Sequence, residues 1–184
     1  MSALRAKAAA TAQQHLAAEL PRRWRHVQAV AAKADRLGGL VGEDAEFLTA
    51  AAWLHDIGYA VDIRDTGFHA LDGARWLLTV GFSARLAALV AHHSCASYEA
   101  AERGLGHVLA AEFSLEMSPV SDTLWFVDMT TGPDGQDMTV GERLAEIRER
   151  YGRTDLVTRF WIKGELPLLD AVQRTQERIA LHPM

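Results

Sequence analysis

The chain lacks the features that mark several large classes of protein. Its 184 residues include one cysteine, which excludes a disulfide scaffold and any zinc site built from several thiolates. No apolar run approaches the roughly 20 residues that a membrane-spanning helix needs. The formal net charge of −5 shows no basic excess, which argues against a dedicated binder of nucleic-acid polymers. We therefore expect neither a membrane nor a nucleic-acid polymer as a partner.

The composition is that of a folded domain. Apolar residues make up 49% of the chain and charged residues 23%, and 184 residues suit one domain with a sizeable core. The first 20 residues are alanine-rich, with Arg5 and Lys7 and no acid before Glu19, a pattern that fits a transit peptide as well as a first helix. These residues are poor in serine and include one arginine, so we expect a first helix. They contain no contiguous apolar segment of a secretory signal. We expect a single domain over residues 1–184, located in the cytoplasm.

Apolar residues recur at helical spacing, and no segment alternates with period two over the length of a strand. Residues 22–37 place Trp24, Val27 and Val30 on one face. Thr139 and Glu142 form a capping-box pattern. Leu166-Pro167 is typical of a helix start, so we expect the last helix to begin there. The fold class predicted is all-α, with a motif-bearing core at about 21–135 and helices over 139–184 packed on it.

Histidines and aspartates lie beside the apolar faces of successive predicted helices. Imidazole with carboxylate suits a divalent transition metal, and inward-facing polar residues on neighbouring helices can form an interior metal site in a bundle. A lone His-Asp pair is as readily a helix-ending aspartate beside a half-buried histidine, so the order of the whole series carries the prediction. That order is His26, His55-Asp56, His69, His92-His93 and Asp128.

This order resembles the HD-domain superfamily of metal-dependent phosphohydrolases, whose fold is a helical bundle. The segments that carry the resemblance are RHVQAVAAKA, AAWLHDIGYA, TGFHALDGARWL, LVAHHS and WFVDMTTGPDG. It implies that His26, His55, Asp56 and Asp128 hold one ion and that Asp56 bridges to a second. His69 and His92 would complete the second site, and His93 is the alternative to His92.

The resemblance implies an enzyme with two divalent transition metal ions, which could be Fe, Mn, Zn or Co. Two such ions share a bridging hydroxide that attacks a phosphomonoester or phosphodiester, a nucleotide among the options. Asp56 and His55 would be the catalytic pair. The partner expected is a small-molecule phosphoester, while substrate identity and oligomeric state stay open.

The chain also departs from known branches of the superfamily. Tyr59 replaces the lysine that often follows HDIG, and neither the GYP run nor the HDxxED signature is present. Cyclic di-GMP and alarmone substrates are therefore not indicated. Arg64, Arg75 and Arg103 are the candidates to bind the substrate phosphate, although for each a surface arginine is the simpler interpretation.

Two other functions are compatible with the same residues. Some HD-fold proteins with this ligand order are mixed-valence di-iron oxygenases, and the ligand order does not separate them from hydrolases. A non-catalytic ligand-binding sensor is the other alternative. A degenerate site would be expected to have lost a ligand, and all six positions are filled here, which favours an enzyme.

Overall fold

The computed structural model describes residues 2–152 and 154–182, and its secondary structure is helical throughout this part of the chain. Ten α-helices are joined by short turns and 3-10 segments. The β-structure in these residues is limited to an isolated bridge between Thr131 and Asp137. The all-α prediction is confirmed. The helices are α1 (Ala3–Leu16), α2 (Pro21–Arg36), α3 (Ala45–Leu54), α4 (His69–Thr79), α5 (Ala84–Ala91), α6 (Ala96–Glu102), α7 (Gly106–Glu112), α8 (Pro119–Met129), α9 (Val140–Tyr151) and α10 (Leu156–Leu181).

Helix α3 lies at the centre of the bundle. It packs against α1, α2, α5 and α8, and its alanines 50–52 are fully buried between Leu48 and Leu54. Small side chains allow neighbouring helices to approach α3 closely on several sides, and the long apolar side chains fill the remaining space. The C-terminal end of α3 therefore lies in the interior, and His55 and Asp56, the next two residues of the chain, lie there as well.

A close backbone contact places α4 beside this end of α3. Gly58 lies in a 3-10 segment (Ile57–Tyr59) and packs directly on the first turns of α4. A Cβ atom on Gly58 would lie 2.0 Å from the carbonyl oxygen of His69 and 2.7 Å from the amide nitrogen of Gly73. Only a glycine allows this approach, which sets the distance between Asp56 and the start of α4.

Local capping signals define several helix starts. The Ser83 side chain accepts a hydrogen bond from the amide of Leu86 at the start of α5. Thr139 and Glu142 form the expected capping box at the start of α9. The predicted capping box is confirmed, because a cap is satisfied by residues within one turn.

The predicted start of the last helix is wrong. Helix α10 begins at Leu156, where the Asp155 side chain accepts a hydrogen bond from the amide of Val157, and it continues through Pro167. Proline inside a helix removes the hydrogen bond to the carbonyl four residues earlier. Phe160 and Trp161 on one side of Pro167 and Leu168 on the other are buried, so packing on both sides keeps the helix continuous.

The C-terminal helix packs along α6, α8 and α9. Asp122 on α8 is buried and accepts hydrogen bonds from Arg174 at 2.9 and 2.7 Å, and Arg178 lies 3.0 Å away. These charge-assisted contacts fix α10 against the same helix that carries Asp128. None of the helices in the described part of the chain is both long enough and apolar enough to span a bilayer.

Candidate metal centre

The predicted site residues converge at helix ends. His26 lies within α2, and the others lie where a helix begins or finishes. Helix ends suit a polar site because side chains there reach the interior without interrupting an apolar face. All but His69, which is nearly so, are buried. The positions are His55 and Asp56 after α3, His69 at the start of α4, His93 after α5 and Asp128 near the end of α8.

The first group is formed by His26, His55 and one carboxylate oxygen of each aspartate. The Nε2 atoms of His26 and His55 are 3.3 Å apart. Asp128 Oδ1 lies 3.0 Å from His26 Nε2 and 3.6 Å from His55 Nε2. Asp56 Oδ2 lies 3.3 Å from His55 Nε2 and 3.8 Å from His26 Nε2. Four donor atoms from three helices thus surround one point.

The second group uses the other oxygen of the same aspartate. Asp56 Oδ1 lies 3.6 Å from His69 Nε2 and 4.0 Å from His93 Nε2. The two Nε2 atoms are 3.2 Å apart. The two carboxylate oxygens of Asp56 therefore face two different pairs of histidines, which is the arrangement of a bridging ligand.

The two histidines of the first group can offer the lone pairs of their Nε2 atoms to a cation. His26 Nδ1 donates to the carbonyl of Gly132 at 3.0 Å, and His55 Nδ1 donates to that of Ala52 at 2.8 Å. Since a carbonyl only accepts, these protons sit on Nδ1, so that in its neutral form each ring presents the lone pair of Nε2 to the other ring and to Asp128. Such atoms repel unless a proton or a metal ion lies between them.

The spacing of these atoms fits a metal ion. Ligand atoms about 2.1 Å from one ion lie about 3.0 to 3.4 Å from each other in octahedral or tetrahedral coordination, and the shortest contacts in both groups fall there. His93 Nδ1 donates to the carbonyl of Val90 at 2.6 Å. A backbone carbonyl on the far ring nitrogen is the usual way in which a metal-bound histidine is oriented.

His93, and not the expected His92, faces the second group. Helix α5 ends at Ala91 and the chain turns at His92, so the two rings point in different directions. His92 Nε2 donates to the carbonyl of Phe113 at 2.9 Å. That bond ties the end of α5 to the segment after α7 and leaves His92 outside the cluster.

Arg23, which was not among the predicted site residues, also belongs to the cluster. Its Nη1 donates to Asp56 Oδ2 at 2.6 Å, and its guanidinium lies 3.9 Å from the ring centre of Tyr59. The other face of that ring stacks on His69, with 4.1 Å between ring centres. Tyr59 therefore supports a cation supplied by α2. The usable signal was spacing, because Arg23 precedes His26 by three residues on the same helix face.

Ser94 is a second addition to the site. It follows His93 directly and its hydroxyl donates to Asp128 Oδ2. Ser94 and Cys95 have φ angles of 44° and 62°, a left-handed conformation that is unfavourable for residues other than glycine. The turn aims His93 at the cluster and brings the Ser94 hydroxyl onto Asp128, and Cys95 is buried behind it.

The two carboxylates stay ionised despite burial. Burial by itself would raise the pKa of Asp56, but Arg23 and His55 hold it well below the usual range. Burial likewise opposes ionisation of Asp128, and His55 with His26 lowers its pKa. Both groups are therefore in the form that binds a cation.

The surroundings shift the pKa of His55 and the pKa values of the second histidine pair in opposite directions. Burial would lower the pKa of His55, but the Asp56 and Asp128 carboxylates outweigh burial and raise it to about 9. Burial and then the neighbouring His93 bring the pKa of His69 well below its ordinary value, and burial and then His55 lower that of His93. The second pair is thus neutral and ready to donate its lone pairs.

The cluster forms the floor of a cavity of about 220 Å³, which we call the site cavity. Its opposite wall is built by α9 and α10, with apolar side chains that include Ile147, Phe160 and Trp161. Arg23, Arg103, Arg143 and Arg150 line it together with three acids, namely Asp56, Glu99 and Asp128. Nothing in the local sequence of α9 indicated that its arginines would reach the cluster.

Only one of the three arginines selected from sequence lines this cavity. Arg103 does so and pairs with Glu99. Arg64 is exposed and donates to the carbonyl of Tyr59. Arg75 makes a bidentate pair with Glu112 on the outer surface of α4. Arg64 and Arg75 are therefore removed from the candidate phosphate contacts.

A comparison with protein families agrees with this geometry. The model of the HD domain family matches residues 23–152, well over half of the chain. The chain belongs to the HD domain family. The matched region begins at Arg23 and runs through α9, so this HD domain includes every residue of both histidine groups. No curated protein and no solved structure gives a significant match.

Membership confirms the resemblance drawn from the histidine and aspartate series. HD domains form a superfamily of metal-dependent phosphohydrolases, and the buried cluster of this HD domain is consistent with divalent metal binding. Two overlapping groups in it can each hold an ion, one containing His26, His55 and Asp56 and the other Asp56, His69 and His93.

Proposed function

We propose that the protein is a hydrolase of small phosphoesters that uses two divalent transition metal ions. The observation that carries the proposal is the position of Asp56, whose two oxygens face two separate histidine pairs. One ion would be held by His26, His55, Asp56 and Asp128, and the other by Asp56, His69 and His93. When bound, such a pair of ions supplies an ionised water as nucleophile and neutralises charge on the phosphoryl oxygens.

The protein's own residues would hold the substrate and keep the ligands in place. Arg23 lines the site cavity at the floor and already donates to Asp56, so its remaining N–H groups can bind a phosphoryl oxygen. The Ser94 hydroxyl holds Asp128, and the Tyr59 ring keeps the Arg23 guanidinium over the cluster. Apolar side chains of α9 and α10, among them Ile147, Phe160 and Trp161, line the same cavity.

The size of the site cavity favours a small substrate. About 220 Å³ accommodates a compact phosphoester but not a nucleic-acid strand. The four arginines of the lining also favour an anion once the carboxylates are occupied by cations. A phosphomonoester and a phosphodiester are both compatible with this space.

The test is a metal-by-substrate screen of the full-length protein. Metal-free protein is loaded anaerobically with Fe²⁺, Mn²⁺, Zn²⁺ or Co²⁺ and assayed for hydrolysis of phosphomonoesters, phosphodiesters and nucleotides. We expect hydrolysis with at least one metal and none after chelation. Absence of hydrolysis, combined with oxygen uptake by the reduced iron form, would replace the proposal by the oxygenase alternative. Full metal content with neither reaction would indicate a ligand-binding sensor.

A further inference from the structure

A second cavity of about 310 Å³ adjoins the site cavity, and its lining is basic. We call it the arginine cavity. Its charged side chains other than His26 are Arg22, Arg23, Arg143, Arg150 and the single acid Glu19. It shares Arg23, His26, Arg143 and Arg150 with the site cavity. A molecule bound over the histidine groups can therefore extend past Arg23 into a space that favours negative charge.

Arg143 is the residue whose bonding indicates a missing partner. It exposes 7% of its surface, and its Nε–H is buried with no hydrogen-bond partner among the residues that the structure describes. Leaving a buried charged donor unpaired is unfavourable. The Nη1 of Arg143 donates to Glu146, and no hydrogen bond of its Nη2 is found among the described residues. Because Arg143 lines the arginine cavity, an anion there can accept a charge-assisted hydrogen bond from this guanidinium.

The protein's own acid only partly neutralises this region. Glu146 pairs with Arg143 and also accepts from Arg150 through both oxygens, at 2.5 Å each. One carboxylate is thus shared by two guanidinium groups. Arg22 pairs with the exposed Asp134 at 3.0 Å, outside the cavity lining. Arg143 and Arg150 therefore have one carboxylate between them, so one of their two positive charges is not matched by Glu146.

We propose that the arginine cavity binds a second anionic group of the substrate, with Arg143 as its main contact. This inference rests on the proposed function and narrows the substrate to a phosphoester that carries a further phosphate or carboxylate. The scissile phosphate would lie over the histidine groups, and the second anion would lie beyond Arg23. Arg143 is then a specificity residue that touches the part of the substrate not undergoing reaction.

The test compares ligands that differ only in the second anion. Propylphosphonate carries one anionic group, while 3-sulfopropylphosphonate and 3-carboxypropylphosphonate of the same chain length carry two. Their affinities are measured by calorimetry on the metal-loaded protein, so the readout does not require turnover. We expect the second anion to increase affinity by about tenfold or more, as a charge-assisted hydrogen bond does. Tighter binding of the sulfonate ligand would indicate a substrate whose second anion is a phosphate, and tighter binding of the carboxylate ligand one whose second anion is a carboxylate.

Substitutions of Arg143 test whether this residue causes the gain in affinity. In Arg143→Gln the gain from the second anion should disappear, so that the ligands with one and with two anionic groups bind that variant with affinities within about twofold of one another. If the glutamine variant does not fold, Arg143→Lys takes its place. It keeps the positive charge and the aliphatic stem but not the planar fork of donors, so it should lose most of the gain. Arg148→Gln is the matched control, because Arg148 lies on the same helix but pairs with Glu165 on the surface. It should keep the full gain.

The outcomes separate this inference from the proposed function. No gain in the unchanged protein, or the same gain in Arg143→Gln, would overturn the anion subsite even if phosphoesters are hydrolysed. A gain that depends on Arg143 in a protein without hydrolytic activity would keep the subsite and reject the proposed reaction.

Discussion

At the scale of single residues, the carboxylate of Asp56 has the largest expected effect. It is the one side chain that faces both histidine pairs, and Arg23 stabilises its charge. We predict that Asp56→Asn lowers the metal content of both groups and reduces hydrolysis by more than about 100-fold, since even outer residues of metal sites change affinity by 10- to 100-fold. Elemental analysis with a hydrolysis assay measures this.

The control for that prediction is Asp65→Asn, because Asp65 is an exposed aspartate of the neighbouring loop. It should keep both metal content and activity. A folded Asp56→Asn protein with full metal content would contradict the bridging role and the two-metal hydrolase with it.

Two adjacent histidines should behave differently. His93→Ala removes a donor from the second pair, so we predict the loss of about one ion per chain, and with it the stabilisation that this ion gives the folded state. His92→Ala should retain the metal but destabilise the fold by about 1 to 3 kcal/mol, because the hydrogen bond to Phe113 is lost from a buried position. Metal analysis and urea denaturation of both variants are the measurements. The reverse result would reinstate His92 as the ligand.

At the scale of helices and their connections, the contact between Gly58 and α4 fixes the position of His69, and so of the second histidine pair, relative to Asp56. A Cβ at Gly58 would lie 2.0 Å from the His69 carbonyl oxygen, so the 3-10 segment and α4 must separate in Gly58→Ala. We predict a loss of about 1 to 3 kcal/mol in the free energy of unfolding and a weaker second ion. Urea denaturation and metal titration test both effects.

Gly141→Ala provides the comparison, since a Cβ at Gly141 in α9 would meet nothing within 4 Å. Alanine there should stabilise the protein slightly, because it favours helix more than glycine does. Equal stability changes in the two variants would show that the Gly58 contact is unimportant.

Arg85, which lies in α5, joins this helix at the surface to the segments that precede α3 and α8. It donates to Asp44 at 2.6 and 2.8 Å and to Glu116 at 2.8 and 2.9 Å, and these hydrogen bonds lower the pKa of both carboxyls. A lowered pKa in the folded state stabilises the protein above the unfolded-state pKa of about 4, and this stabilisation is lost as the pH falls through the folded-state pKa.

We therefore predict that Arg85→Gln lowers the free energy of unfolding by about 0.5 to 1 kcal/mol at pH 7, because the groups are partly exposed. The difference should shrink towards zero as the pH falls through the lowered folded-state pKa values of Asp44 and Glu116. Arg36→Gln, at an exposed position of α2, should have little effect at either pH. Denaturation at several pH values is the measurement, and a difference that does not change with pH would contradict the assignment.

At the scale of the whole molecule, the histidine groups link segments that are far apart in the sequence, from α2 to α8. Ions that bind only the folded state should stabilise it by about 2.7 kcal/mol at 100 times the Kd. For a chain of this length the thermal midpoint should then rise by about 5 to 10 °C. Thermal unfolding with and without a chelator tests this, and Asp56→Asn should show no such rise. An equal rise in the variant would place the ions elsewhere.

The sequence by itself determined the helical class, the order of the site series and the capped helix starts. These depend on the spacing of apolar residues and on contacts within one turn, which are local. His26, His55, Asp56, His69 and Asp128 followed from that order. The start of α10 did not, because packing around Pro167 outweighs the preference of proline for a first turn.

Only the tertiary structure decided which side chains complete the site. His92 and His93 are adjacent, and the turn after α5 alone separates their directions. Arg64 and Arg75 have the same side chain as Arg23, but α4 and its preceding loop direct them to the surface. Arg143 reaches the cavities because α9 and α10 fold back over α8, a long-range contact that no local pattern encodes. Direction and distance between helices arise from packing, and residue spacing alone does not contain them.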